Sequence, residues 1–133
     1  MSAAPAGFSV TVDPARDLVR ITLSGFLTAG ITAEFLRARN EAHRRLRCGP
    51  NEHATVADIR GLAIQAQDLV TRFQSVLSDP AYRSRRLAIV TPSSLARLQA
   101  QRAAGNRDAR FFADLEEAEV WALEPGPAAR ATT

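Results

Sequence analysis

ATVADIRGLAIQAQDL, residues 54–69, decides the fold. Thr55 to Ile59 is apolar and β-branched, which suits a central strand covered by helices. Asp58-Ile59-Arg60-Gly61 reads as a tight turn, and Gln65 or Asp68 then begins a helix. That helix carries Leu69, Phe73, Val76 and Leu77 at helical spacing and stops at Ser78-Asp79-Pro80. A buried strand leading through a turn into an amphipathic helix is the repeating unit of a parallel α/β sheet.

The segments on either side extend this pattern. Phe8 to Val12 alternates apolar and polar, and Leu18 to Leu23 alternates again, with Val19 doubtful in register. Asp13-Pro14-Ala15-Arg16-Asp17 lies between them as turn chemistry, so the two form an antiparallel hairpin closed by Ser24-Gly25. Thr28 or Thr32 N-caps a first helix with the stripe Ile31, Phe35, Ala38, Ala42 and Leu46. Its opposite face holds Arg37, Arg39, Glu41, Arg44 and Arg45, and it ends near Cys48-Gly49-Pro50. Downstream, Leu87 to Val90 is a short strand, and Thr91-Pro92-Ser93-Ser94 opens a helix running to Gly105-Asn106. Arg110-Phe111-Phe112 is a brief strand, and Asp114 with Glu117 forms a capping box for a last helix burying Leu115, Ala118 and Trp121. The expected order is therefore ββαβαβαβα, a mostly parallel sheet with an N-terminal antiparallel hairpin and about four helices.

At 133 residues the chain makes one domain. Residues 1–7 are a frayed end, 8–123 the domain and 124–133 a flexible tail. Apolar content of 46% and charged content of 23% are those of a soluble globular protein. The N-terminus lacks the pattern of a secretory signal, and no apolar run spans a bilayer. With one cysteine, Cys48, no internal disulfide forms, and the default compartment is the cytoplasm. All 17 basic residues are Arg, which removes lysine-based chemistry. Seven of them fall between Arg83 and Arg110, against one acid, and five acids follow between Asp114 and Glu124. No aromatics interleave the basic block, so nucleic acid is not an expected partner.

The order of these elements resembles the STAS domain family, which includes bacterial anti-sigma-factor antagonists and the cytosolic domains of anion transporters. The resemblance covers about residues 8–123 and rests on Ile21-Thr22-Leu23-Ser24-Gly25, on Asp58-Ile59-Arg60-Gly61-Leu62, and on the run from Arg86-Leu87-Ala88-Ile89-Val90 to Glu116-Glu117-Ala118. It implies a SpoIIAA-like α/β fold and a bacterial regulatory module acting by protein contact. In the antagonists a serine phosphorylated by a partner kinase begins the second helix. Here the matching positions are Ala66, Gln67 and Asp68, without a hydroxyl, so the chain resembles a divergent stand-alone member lacking the serine phosphoswitch. The interaction surface implied is Asp58, Arg60, Gly61, Gln65, Gln67 and Asp68.

Other chemistry is weaker. Ser93 and Ser94 at a helix start, with Arg86 and Arg97, are candidate anion or ligand contacts, although capping alone accounts for the serines. His43 reads as a surface residue, and with His53 it supplies too few ligands for zinc. Asp58 ends a central strand, where accepting hydrogen bonds from the turn or from Arg60 explains it. Phe73, Phe111, Phe112 and Trp121 read as core. No nucleophile, base and orienting group coincide, so no catalytic residue, metal or cofactor is expected and the chain is not read as an enzyme. The alternative to a protein-contact module is a carrier or sensor of a small apolar or anionic, lipid-like ligand. A second copy of the chain is a further partner that the sequence allows.

Overall fold

The computed structural model describes residues 7–49, 51–63, 65, 67–91, 98–99, 101–102 and 109–124, with the side chains at 69–70, 73–74 and 77–78 excepted. Five strands form one sheet: β1 (Gly7–Asp13), β2 (Leu18–Gly25), β3 (Ala54–Leu62), β4 (Arg86–Val90) and β5 (Ala109–Phe112). Their spatial order is their chain order. β1 pairs antiparallel with β2, and every later pairing is parallel. Three helices have defined bounds among the described residues: α1 (Ala29–His43), α2 (Gln67–Ser78) and α3 (Leu115–Leu123). The expectation was about four, in the order ββαβαβαβα. Between β4 and β5 the described residues are 91, 98–99 and 101–102, and the last four are helical. Thr91 is described, but most of the segment expected to begin that helix, with Ser93, Ser94 and Arg97, lies outside the described residues.

The period of two in the strands divides the core between the faces of the sheet. On one face Leu18, Ala54, Val56, Ala88 and Val90 pack with Ala118 and Ala122 of α3, joined by Phe112, Leu115 and Trp121. On the other, Leu23, Ile59, Leu87 and Ile89 pack with Phe35 of α1, joined by Ile31, Val76 and Phe111. Leu18 and Val19 are both fully buried, because β2 is covered on both sides. That settles the register of Val19.

The hairpin turn is held by Arg16 N–H donating to the Asp13 carbonyl at 3.2 Å and by an Arg16–Asp13 ion pair at 2.8 Å. Asp17 sits at φ 50° and reaches further than its own turn. Its carboxylate accepts from the N–H groups of Arg47 (2.8 Å) and Cys48 (3.2 Å), and its carbonyl accepts from Ala54 N–H at 3.0 Å. These bonds catch the chain just after α1. The helix therefore stops at His43 with Arg44 as its cap, several residues before the expected Cys48-Gly49-Pro50 stop. At its other end Thr28 Oγ accepts from Ile31 N–H at 3.1 Å, so Thr28 is the cap and Thr32 is buried.

The buried stripe of α1 is Thr32, Phe35, Arg39 and Ala42. Arg39, expected on the polar face, is only 9% exposed. Its guanidinium carbon lies 4.2 Å from the centroid of the Tyr82 ring and its nitrogens reach Asn40 Oδ1, so aromatic stacking and an amide oxygen take the place of water.

Candidate functional site

The expected turn at Asp58-Ile59-Arg60-Gly61 is strand. β3 continues to Leu62, and Gly25 of β2 stands opposite Leu62. The register shifts between Thr22↔Asp58 and Ser24↔Gly61, so β3 carries one extra residue there. A Cβ on Gly61 would lie 3.3 Å from Ser24 Cβ, which shows how closely the strands approach at the shift. Ile59 points into the core, while Asp58 and Arg60 form a pair on the surface. Arg60 Nε and Nη2 donate to Asp58 Oδ1 and Oδ2 at 2.9 and 2.8 Å, and Arg60 N–H donates to Oδ1 at 3.1 Å. The Arg60 guanidinium holds the Asp58 carboxyl below its ordinary range, against a smaller opposing effect of burial. A lowered carboxylate value means that the pair's contribution is complete above the unfolded value near 3.8 and fades as pH falls through the folded one.

Beyond β3, Gln65 joins the loops at the C-terminal end of the sheet. Its side-chain carbonyl accepts from Leu27 N–H at 2.9 Å, and its side-chain amide donates to the carbonyls of Gly25 (3.0 Å) and Ala63. Gln65 N–H donates to Gln99 Oε1 at 2.8 Å, and Gln99 Nε2 donates back to the Gln65 carbonyl at 2.7 Å. Gly25 has φ 72°, a conformation that suits glycine, and this turns its carbonyl toward both Gln65 and Ala63 N–H. The Gln65 side chain thus joins the β2–α1 and β3–α2 loops, and the Gln65 backbone links them to Gln99 in the helical residues before β5. Sequence reasoning placed Gln65 here but missed Gln99, because a lone polar residue in a helical run carries no periodic signal. Gln65→Ala should leave the sheet intact and speed amide hydrogen exchange at Leu27 and Ala63 by at least about tenfold, since a local opening then costs less. Unchanged exchange there would show that the loops are held by other contacts.

Gln67 and Asp68 are exposed at the start of α2, where Thr71 Oγ donates to the Gln67 carbonyl at 3.1 Å. The acidic Asp68 in the first turn complements the helix dipole. Asp58, Arg60, Gly61, Gln65, Gln67 and Asp68 therefore lie at the C-terminal end of β3 and the opening of α2.

Of the candidate anion contacts, Arg86 alone lies among the described residues. Arg86 is 7% exposed, and its Nη1 donates to the Trp121 carbonyl (2.6 Å) and to Glu124 Oε1 (3.3 Å). It ties the start of β4 to the end of α3. Ser93, Ser94 and Arg97 lie outside the described residues. His43 departs from its expected surface position and is half-buried against His53 and Tyr82. Burial raises the Cys48 thiol above its ordinary value, opposite to the shift that activates a nucleophile. Among the described residues no group of three or more His, Cys, Asp and Glu is placed to hold a metal ion, and no helix is long and apolar enough to cross a membrane.

A five-stranded mixed sheet of this order, with a surface where β3 meets α2, defines a SpoIIAA-like α/β fold, and comparison with solved structures shows it directly. The chain is similar to a protein of the DUF3478 family with a SpoIIAA-like fold from Shewanella loihica PV-4, at TM-score 0.70 and 19% identity over 92% of this chain and 98% of that one. It is also similar to an anti-sigma factor antagonist from Mycobacterium paratuberculosis, at TM-score 0.57 and 11% identity over 91% of this chain and 98% of that one. No protein-family model and no curated protein sequence matches the chain.

Proposed function

We propose that this protein is a non-catalytic regulatory module that works by binding another protein through Asp58, Arg60, Gly61, Gln65, Gln67 and Asp68. The observation that carries this reading is the Gln65 junction, which holds three loops in one arrangement beneath an exposed Gln67 and Asp68. Preorganised polar groups at the rim of a rigid sheet lose little entropy when a partner docks. The likeness in fold to an anti-sigma factor antagonist supports a protein partner. The helix start supplies Gln67 and Asp68 and no hydroxyl, so the module acts without a serine phosphoswitch.

The test is affinity capture with the full chain and with Gln67→Arg and Asp68→Arg variants. Both substitutions lie at exposed positions; Gln67→Arg should change stability by no more than about 0.5 kcal/mol and Asp68→Arg, which reverses a charge the helix dipole favours, by about 1 kcal/mol. Each should reduce recovery of the partner at least about tenfold, the loss expected when a new like or bulky charge meets a fitted surface. Recovery equal to that of the unsubstituted chain would place the binding surface elsewhere.

A further inference from the structure

At the other end of the sheet, where the parallel strands begin, lies a cluster of titratable rings that the proposed surface does not use. His43 is the last residue of α1, His53 immediately precedes β3, and Tyr82 lies between α2 and β4. The His43 ring meets the His53 ring at a centroid distance of 4.5 Å and 81°, and the Tyr82 ring at 5.1 Å and 82°. Arg39, one turn before His43, places its guanidinium over the other side of the contact, 4.2 Å from the Tyr82 centroid. His53 is 2% exposed. Hydrogen bonds fix two of these three segments to each other: Arg85 N–H donates to the His53 carbonyl at 2.8 Å, and Asn51 Nδ2 donates to the carbonyls of Pro80 (2.8 Å) and Arg83 (2.7 Å).

We propose that His43, His53, Tyr82 and Arg39 form an acid-sensitive latch fastening the C-terminal end of α1 to the segment before β3 and to the α2–β4 connection. Edge-to-face packing of neutral rings is attractive, and a proton on one imidazole places a cation in a half-buried site beside a guanidinium. The charged groups around the cluster favour the neutral form. Arg39 faces it from α1, while the Arg85 guanidinium donates to the Glu124 carbonyl at 2.8 Å. Of the acids, Asp79 acts on Arg39, Glu41 is paired with Arg44 at 3.2 Å, and Glu52 accepts from Gly49 N–H at 3.0 Å. Cys48 stays a neutral thiol, since burial raises it. Burial, and then the charge of Arg39, lower the His43 value below 6.5. The folded value lies below the unfolded one, so the latch is complete above about pH 6.5 and weakens as pH falls through the folded value.

This inference concerns the opposite end of the sheet and stands independently of the proposed binding surface. The experiment is amide hydrogen exchange on the full chain at about pH 7.5 and about pH 5.5, corrected for intrinsic rates, read at Arg45 and Leu46. Their N–H groups bond the Ala42 and His43 carbonyls at 3.0 and 3.2 Å. One titrating proton should raise their opening about three- to tenfold over that interval, the bound being tenfold per pH unit between the unfolded value and the folded one. His43→Phe keeps a ring in place without a titrating group and should abolish most of that rise. An equal rise in the variant overturns the latch. Should the variant not fold, titration of the His43 ring by NMR in the unsubstituted chain decides: a midpoint below about 6.5 supports the latch, and one at or above it overturns it.

Discussion

Leu18→Ala is expected to lower the unfolding free energy by roughly 2–5 kcal/mol, measured by denaturant titration. Leu18 is fully buried at the start of β2, on the face covered by α3. Its buried neighbours are Ala54, Val56, Ala88, Val90, Ala118 and Ala122, so it is the largest of the fully enclosed side chains in this layer, which Phe112, Leu115 and Trp121 border. Those buried neighbours are short and sit on paired strands or on a helix packed by its own alanines. They cannot swing in to fill the space left by an isobutyl group, which puts the substitution toward the costly end of the range. Against a total stability of about 5–15 kcal/mol, such a loss leaves a marginal domain. A measured loss under about 1 kcal/mol would mean that α3 can settle onto the sheet, and the tight packing of this layer would be disproved.

Arg86→Met should cost about 2 kcal/mol, because a buried hydrogen bond from a charged donor contributes roughly 1.5–3 kcal/mol and a methionine keeps most of the side chain's volume. The guanidinium carbon lies 4.6 Å from the centroid of the Trp121 ring while Nη1 serves the Trp121 carbonyl and the Glu124 carboxylate. Trp121 is in the last turn of α3, where a cation is favoured, and its carbonyl accepts from Glu124 N–H at 3.2 Å as well as from Arg86. Arg85 also donates to this end, to the Glu124 carbonyl at 2.8 Å, so the Arg85→Ala, Arg86→Met double variant should lose more than the sum of the two single changes. The checks are the unfolding free energy and the Trp121 fluorescence of the folded state. A loss below about 0.5 kcal/mol with unchanged fluorescence would show that the helix end holds without Arg86.

The hairpin and the Asp114 cap were legible because each has a local cause, alternation or a carboxylate one turn before an N–H, whereas the choice between Thr28 and Thr32 as the first cap needed the structure. The end of β3 was not legible. Asp, Arg and Gly have turn composition, yet Asp58 and Arg60 lie two residues apart on one side of the pleat, and pairing with β2 carries the strand on to Leu62. Tertiary pairing overrode local preference there. Arg39 and His43 were misplaced for a related reason. A charged residue in an apolar stripe looks like a solvated one until its partner is known, and Tyr82 lies some forty positions away in the sequence. Within the candidate surface, the exposed places of Gln67 and Asp68 followed from the helix start. The anchoring of Gln65 depended on Gln99, which local patterning does not reveal.

Strand order in this sheet is identical to strand order in the chain. On the ribosome, β1 and β2 can close as a hairpin before β3 exists, and each later strand then meets a neighbour that is already in place. No strand has to insert between two others, so the sheet grows at one edge in the direction of synthesis. Apart from the permanent edge at β1, the open edge at any moment is the most recently made one, and the next strand covers it, which limits the time that edge stays bare.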